Sequence, residues 1–160
     1  MIYLNEVTTM DMSVPVIIRE ASAADLPAIL GLYAQPDLDD GDVLPLAQAQ
    51  QILARFKRYP DYRLYVAADG DEIVGSLALL VMDNLGHLGA PSGVVEDVVV
   101  EPSRQGEGIG RRMMVFALER CRDRRCYKLA LSSNLTRERA HRFYESLGFE
   151  KHGYSFRVEL

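Results

Sequence analysis

The stretch that most constrains the fold runs from Val94 to Gly110, Val-Val-Glu-Asp-Val-Val-Val-Glu-Pro-Ser-Arg-Gln-Gly-Glu-Gly-Ile-Gly. Val94 to Glu101 is β-branched and apolar, the pattern of a largely buried strand. Pro102 and Ser103 end it. Gly106, Gly108 and Gly110 follow at alternate positions, and Ile109, Met113, Phe116, Ala117 and Cys121 then recur on one helical face. Strand, glycine loop and helix together make a cradle for an anion. Glycine lets the backbone come close to a ligand, and the loop N–H groups join the first N–H groups of the helix, which lack partners within it. The partial positive charge at the helix N-terminus favours a phosphate or pyrophosphate. A dinucleotide fold wants Gly-x-Gly-x-x-Gly and a P-loop ends in Gly-Lys-Ser/Thr. The spacing here is neither.

With 160 residues the chain suits one domain with a core of its own. Residues 1–14 read as a loosely ordered extension or a short extra strand (Ile2 to Val7), and 15–160 as the domain. No apolar run is long enough to span a membrane, and no basic region leads into an apolar one as in a signal peptide. A net charge of −5 argues against nucleic acid as a partner and suits a cationic substrate. Arg111 and Arg112 fall in the first turn of the glycine-loop helix, where dipole logic prefers acids; a bound polyanion would explain them. Cys121 and Cys126 are too few for a disulfide framework and match no zinc spacing, so no metal is expected. They read as core thiols of a reducing cytoplasm.

Along the chain, Val16 to Glu20 reads as a strand. Ser22-Ala23-Ala24-Asp25 resembles a capping box opening a helix with Leu26, Ile29, Leu30 and Tyr33 inward. Gln35 to Leu44, with Asp37, Asp39, Asp40 and Asp42, is a loop. Pro45 starts a second helix to about Arg58, with Ile52, Leu53 and Phe56 on its apolar side. Asp61 to Ala68 and Ile73 to Met82 are strands around an Asp69-Gly70-Asp71 hairpin turn. Asn84 to Ser92 is a loop bearing His87. Lys128 to Ser132 is a strand, Ala140, Phe143, Tyr144 and Leu147 mark a last helix, and Gly148 stops it. Phe149 to Leu160 reads as one or two closing strands. The order β-α-α-β-β-β-α-β-α-β is mixed α/β (α+β).

Arg104 to Gly110 resembles the Gln/Arg-x-x-Gly-x-Gly signature of the GNAT acetyltransferase superfamily, and Ala140-His141-Arg142-Phe143-Tyr144-Glu145-Ser146-Leu147-Gly148-Phe149 is similar to its A-x-x-F-Y-x-x-x-G-F segment. The element order matches that fold over roughly residues 16 to 160. Leu131 to Asn134 with the Ala140–Tyr144 segment looks like aminoalkylphosphonate N-acetyltransferases. Glu96 to Val100 and Cys126-Tyr127-Lys128 look like glucosamine-6-phosphate N-acetyltransferases. The resemblance implies a mixed central sheet of about six to seven strands flanked by about four helices, and acetyl-coenzyme A as cosubstrate. It implies a small-molecule primary amine as acceptor, attacking directly in a ternary complex. It also implies a homodimer as a common state, with the closing strands able to pair across a two-fold axis. A protein or peptide acetyltransferase would keep both motifs. A non-catalytic acyl-coenzyme A sensor would keep the glycine loop but have no need of Tyr144.

Acetyl transfer needs a neutral amine, a stabilised carbonyl oxygen and a leaving thiolate that takes up a proton. A Tyr hydroxyl suits the last task. Tyr144 matches the superfamily's tyrosine acid, although its place on an apolar helix face also fits packing alone. Glu96 and Asp97 are charges inside an apolar strand, costly to bury unless paired or used. Alternation puts them on opposite faces, so at most one faces a given cleft. Glu96 is the candidate base, with Val94 standing where several members have their glutamate. The resemblance gives the cofactor to the backbone of Val98, Val99 and Val100, to Gln105, Gly106, Glu107, Gly108, Ile109, Gly110 and Arg111, and to Asn134. Asn134 equally suits a cap beside Thr136. Substrate candidates are Asp97, Asp40 within the acidic loop, His87, and the tail His152 to Phe156.

Overall fold

A computed structural model describes residues 15–36 and 38–159. The extension expected at 1–14, Asp37 and Leu160 lie outside the described residues. The regular elements are β1 (Ile17–Glu20), α1 (Leu26–Tyr33), α2 (Leu46–Phe56), β2 (Tyr62–Asp69), β3 (Glu72–Met82), β4 (Ser92–Val100), α3 (Ile109–Asp123), β5 (Lys128–Ala130) and α4 (Glu138–Ser146). The strands lie side by side in chain order, antiparallel from β1 to β4, with β5 parallel to β4. A parallel pair needs a crossover, and the glycine loop and α3 supply it. No helix among the described residues is long and apolar enough to cross a membrane.

Period-two alternation along β2 sends Leu64 and Val66 to one face and Tyr65 and Ala67 to the other. The first face packs with Ile29 of α1, and Leu26, Leu30 and Ala49 join α1 to α2. On the second face Leu77, Leu79, Val81 and Val95 meet Ile109, Met113, Met114, Ala117 and Cys121 of α3. Met114 widens the expected apolar stripe because α3 lies across the sheet and is covered on more than one narrow seam. Helix and sheet approach closely at Gly93, where a Cβ would run into the Cys121 sulfur. Ahead of α1, the Asp25 carboxylate accepts from the Ser22 N–H (2.7 Å) and from both Arg19 terminal nitrogens (2.8 Å each). The Arg19 guanidinium thereby holds Asp25 well below the usual carboxylate range.

Four expectations change. The sheet has five strands among the described residues, not six or seven. Residues 149–159, expected as closing strands, form none: Tyr154, Phe156 and Val158 are 89%, 91% and 80% exposed, with no ladder to join. α2 begins after Pro45 and ends at Phe56, because Pro60 disfavours helical backbone just ahead of it. β5 stops at Ala130, since Leu131 and Ser132 leave β4 rather than pair with it.

Candidate active site

The glycine loop is built from three different demands. Gly106 (φ 92°) and Gly108 (φ 82°) are left-handed, a region L-residues rarely adopt. Gly110 is needed for space instead: a Cβ there would lie 3.3 Å from the Phe143 ring and 3.7 Å from Val100 Cγ2. Gly108 is the N-cap of α3, and the Arg112 N–H donates to its carbonyl at 3.0 Å. The N–H groups of Ile109, Gly110 and Arg111 therefore precede the first helical bond. Arg104 ties the loop to the β2–β3 hairpin, pairing with Asp69 (2.9 Å), Glu107 (2.8 Å) and Glu72 (3.6 Å). Arg111 and Arg112 are exposed and form no ion pair among the described residues.

Beside the loop the sheet opens. β4 and β5 pair only at Ser92–Lys128, Gly93–Leu129 and Val94–Ala130. Past that point Leu131 to Ser133 diverge from Val95 to Val98. The wedge holds a cavity of about 160 Å³, lined by those residues with Leu38, Glu96, Asp97, Arg137 and Tyr144. A second hollow of about 320 Å³, against Arg55, Arg58 and Tyr59, contains none of the predicted site residues. Main-chain groups also reach the wedge. The Glu101 N–H donates to Val74 O at 2.9 Å, so alternation turns Val99 toward β3 and leaves Val98 and Val100 facing the opening. Val100 O there accepts from Gln35 Nε2 (3.3 Å) and Gln105 Nε2 (3.5 Å).

The placement of Glu96 and Asp97 corrects the sequence reading. Ser76 pairs with Val99 and Ala78 with Glu96, so Asp97 and Val98 together oppose Leu77. This is a β-bulge, with Asp97 left-handed at φ 52°. The surplus residue breaks the alternation. Glu96 and Asp97 line the same cavity rather than opposite faces. Both carboxyls are pushed above their ordinary values: Glu96 by burial and then by Asp97, Asp97 by burial and then by Asp39. Burial and the same carboxylates raise Tyr62, and burial chiefly pushes Tyr33, which shares a 3.5 Å hydroxyl contact with Ser76, up to about 12. Burial also raises Tyr144, with Arg137 opposing. The Tyr144 hydroxyl thus keeps its proton at neutral pH, and its ring packs on Phe143 and Phe149.

Other predicted residues fall elsewhere. Asn134 Oδ1 accepts from the Thr136 N–H (3.0 Å) and hydroxyl (2.9 Å), and Asn134 O lies 2.9 Å from His141 Nε2. Its side-chain oxygen is spent on this turn, leaving the amide NH₂ as the group that can meet a ligand. His87 is stacked on Tyr127 (centroids 3.8 Å apart) and does not line the cavity. Neither does Asp40; from the acidic loop it is Leu38 that lines the cavity and Asp39 that acts on Asp97. The tail from His152 to Phe156 is exposed. Sequence reasoning passed over Leu38, Ser132, Ser133 and Arg137. Arg137 carried a signal, a cation just before a helix, set against the dipole as Arg111 is. Ser133 carried none beyond its place after a strand.

The fold agrees with the comparison to known proteins. Residues 28–149 match the Acetyltransferase (GNAT) family, and the chain belongs to it. It is similar to the aminoglycoside N(6')-acetyltransferase type 1 of Stenotrophomonas maltophilia, 34% identical over 139 residues, 84% of this chain and 86% of that protein. It is also similar to the glucosamine 6-phosphate N-acetyltransferase of Trypanosoma brucei brucei, 39% identical over 88 residues, 55% of this chain and 58% of that protein. A solved acetyltransferase of Trypanosoma brucei superposes with a TM-score of 0.80 at 29% identity, covering 91% of this chain and 100% of the other.

Proposed function

We propose that the protein transfers an acetyl group from acetyl-coenzyme A to a primary amine of a small molecule, by direct attack in a ternary complex. The observation that carries this is the wedge, which gathers Tyr144, Glu96 and Asp97 on one cavity beside the glycine loop. Bound acetyl-coenzyme A would supply the activated thioester. The loop from Gln105 through Gly106, Glu107, Gly108, Ile109 and Gly110 to Arg111 suits a pyrophosphate, because its N–H groups converge at a helix N-terminus. Main-chain groups of Val98 and Val100 suit an extended amide arm, which they would align as an added strand. Val100 N–H or its neighbour would stabilise the acetyl oxygen. Tyr144 would give its proton to the departing thiolate, and Glu96, directly or through water, would take one from the amine.

The acceptor side is acidic. Glu96 and Asp97 line the cavity and Asp39 stands near, which draws an ammonium group toward the site. This suits an aminoglycoside-like acceptor better than a phosphorylated one. The free cysteines Cys121 and Cys126 suit a reducing cytoplasm. The exposed tail and the open edge of β5 suit a homodimer. The test is a thermal shift with acetyl-coenzyme A, then mass spectrometry after incubation with mixed amines. At a hundredfold excess over Kd the expected stabilisation is about 2.7 kcal/mol, roughly 5–10 °C for a chain of this size, with one amine gaining an acetyl group. No shift at saturating ligand would overturn the reading.

A further inference from the structure

Ser133 stands apart from the other polar side chains. Its Oγ is buried without a hydrogen-bond partner, alone in this among the described residues. It lines the same cavity as Tyr144, Glu96 and Asp97. It lies three residues beyond Ala130, where β5 makes its last pairing with β4. The Oδ1 and main-chain oxygen of its neighbour Asn134 are engaged by Thr136 and His141 instead. A buried hydroxyl left unpaired works against the folded state. It can also rotate to donate to whatever acceptor enters the cavity.

The charges on the opposite wall say which acceptor that is. Glu96 and Asp97, which outnumber Arg137 on this cavity, attract an ammonium. The amino group of an incoming acceptor is drawn to the carboxylates and, as an ammonium, offers Ser133 no lone pair. A thioester carbonyl placed beside Tyr144 is a neutral acceptor in the same cavity. We infer that the Ser133 hydroxyl donates a hydrogen bond to the acyl-thioester end of bound acetyl-coenzyme A and positions it beside Tyr144. This rests on the ternary-complex reading above.

The experiment compares wild type with Ser133→Ala and Ser133→Cys, the second keeping the volume but losing the strong donor. Melting of the ligand-free protein is recorded, and calorimetry measures affinity for acetyl-coenzyme A and for desulfo-coenzyme A, whose arm stops short of the sulfur. Both variants should melt no lower than wild type. They should bind acetyl-coenzyme A roughly 3- to 10-fold more weakly and desulfo-coenzyme A as wild type does. A lower melting point with unchanged acetyl-coenzyme A affinity would make Ser133 a structural residue and overturn the inference. Equal losses for both ligands would move the contact up the arm and overturn it too. A wild type that takes up no acetyl-coenzyme A overturns the site reading and this inference together, whereas normal uptake by all three proteins overturns this inference alone.

Discussion

Asp97 holds a left-handed backbone and a carboxylate raised by burial and by Asp39, next to a Glu96 raised by burial and by Asp97. A carboxyl whose folded pKa is raised binds its proton more readily in the folded than in the unfolded chain. It favours folding below the unfolded pKa and loses that advantage as pH rises through the folded value. At neutral pH, Glu96→Gln and Asp97→Asn should therefore melt higher than wild type. Glu96→Gln should also lose about 100-fold in kcat and the acidic limb of its pH–rate profile. A variant that melts lower, or keeps that limb, would remove Glu96 from the base role. Tyr144→Phe should lower thiol release about 100-fold or more with melting unchanged, since no hydrogen bond ties the hydroxyl to the described residues. Tyr144 was legible because its helix period and its motif agree. The company of Glu96 and Asp97 was not. Their shared side follows from how β4 registers against Leu77 on another strand, and local alternation carries no record of that.

Glycine has two uses around α3, and they separate by experiment. Gly108 has open space where a Cβ would go but a left-handed φ, so Gly108→Ala should cost about 1–2 kcal/mol and weaken acetyl-coenzyme A binding. Gly93 has an ordinary backbone but no space beside Cys121 and Leu129, so Gly93→Ala should cost about 1–3 kcal/mol without a matching loss of affinity. Urea unfolding and calorimetry on both variants check the contrast, and equal affinity losses would contradict it. At this scale the sequence was informative. Apolar runs bounded by turn residues and the 3.6 period named each element of the sheet and each helix, because those patterns follow from which face is buried. Element ends were less legible where a neighbour decides them: β5 stops where β4 bends away, not where its own apolar residues end.

For the whole molecule, the tail shows what pattern alone can and cannot specify. Tyr154, Phe156 and Val158 alternate as a strand should, yet they stand almost fully exposed. Alternation prepares a segment for an edge but does not provide one. Placing those three residues against a second copy is the reading offered above. Light scattering should then give twice the chain mass at micromolar concentration, and Phe156→Asp should give the single mass with its fold retained. A monomeric wild type would sink that reading. The mixed α/β order and the family were legible from two motifs in sequence, since each binds a local spacing to a fixed place in the fold.

The bulge at Asp97 has a further consequence. β4 carries one residue more than β3 can match, and that mismatch acts as a phase slip between two otherwise synchronous strands. The slip lies on β4, the strand whose other edge bounds the wedge. Deleting Asp97 would bring the strands back into phase. Such a chain should resist urea better than the natural one and transfer no acetyl group, a sound scaffold with the door shut.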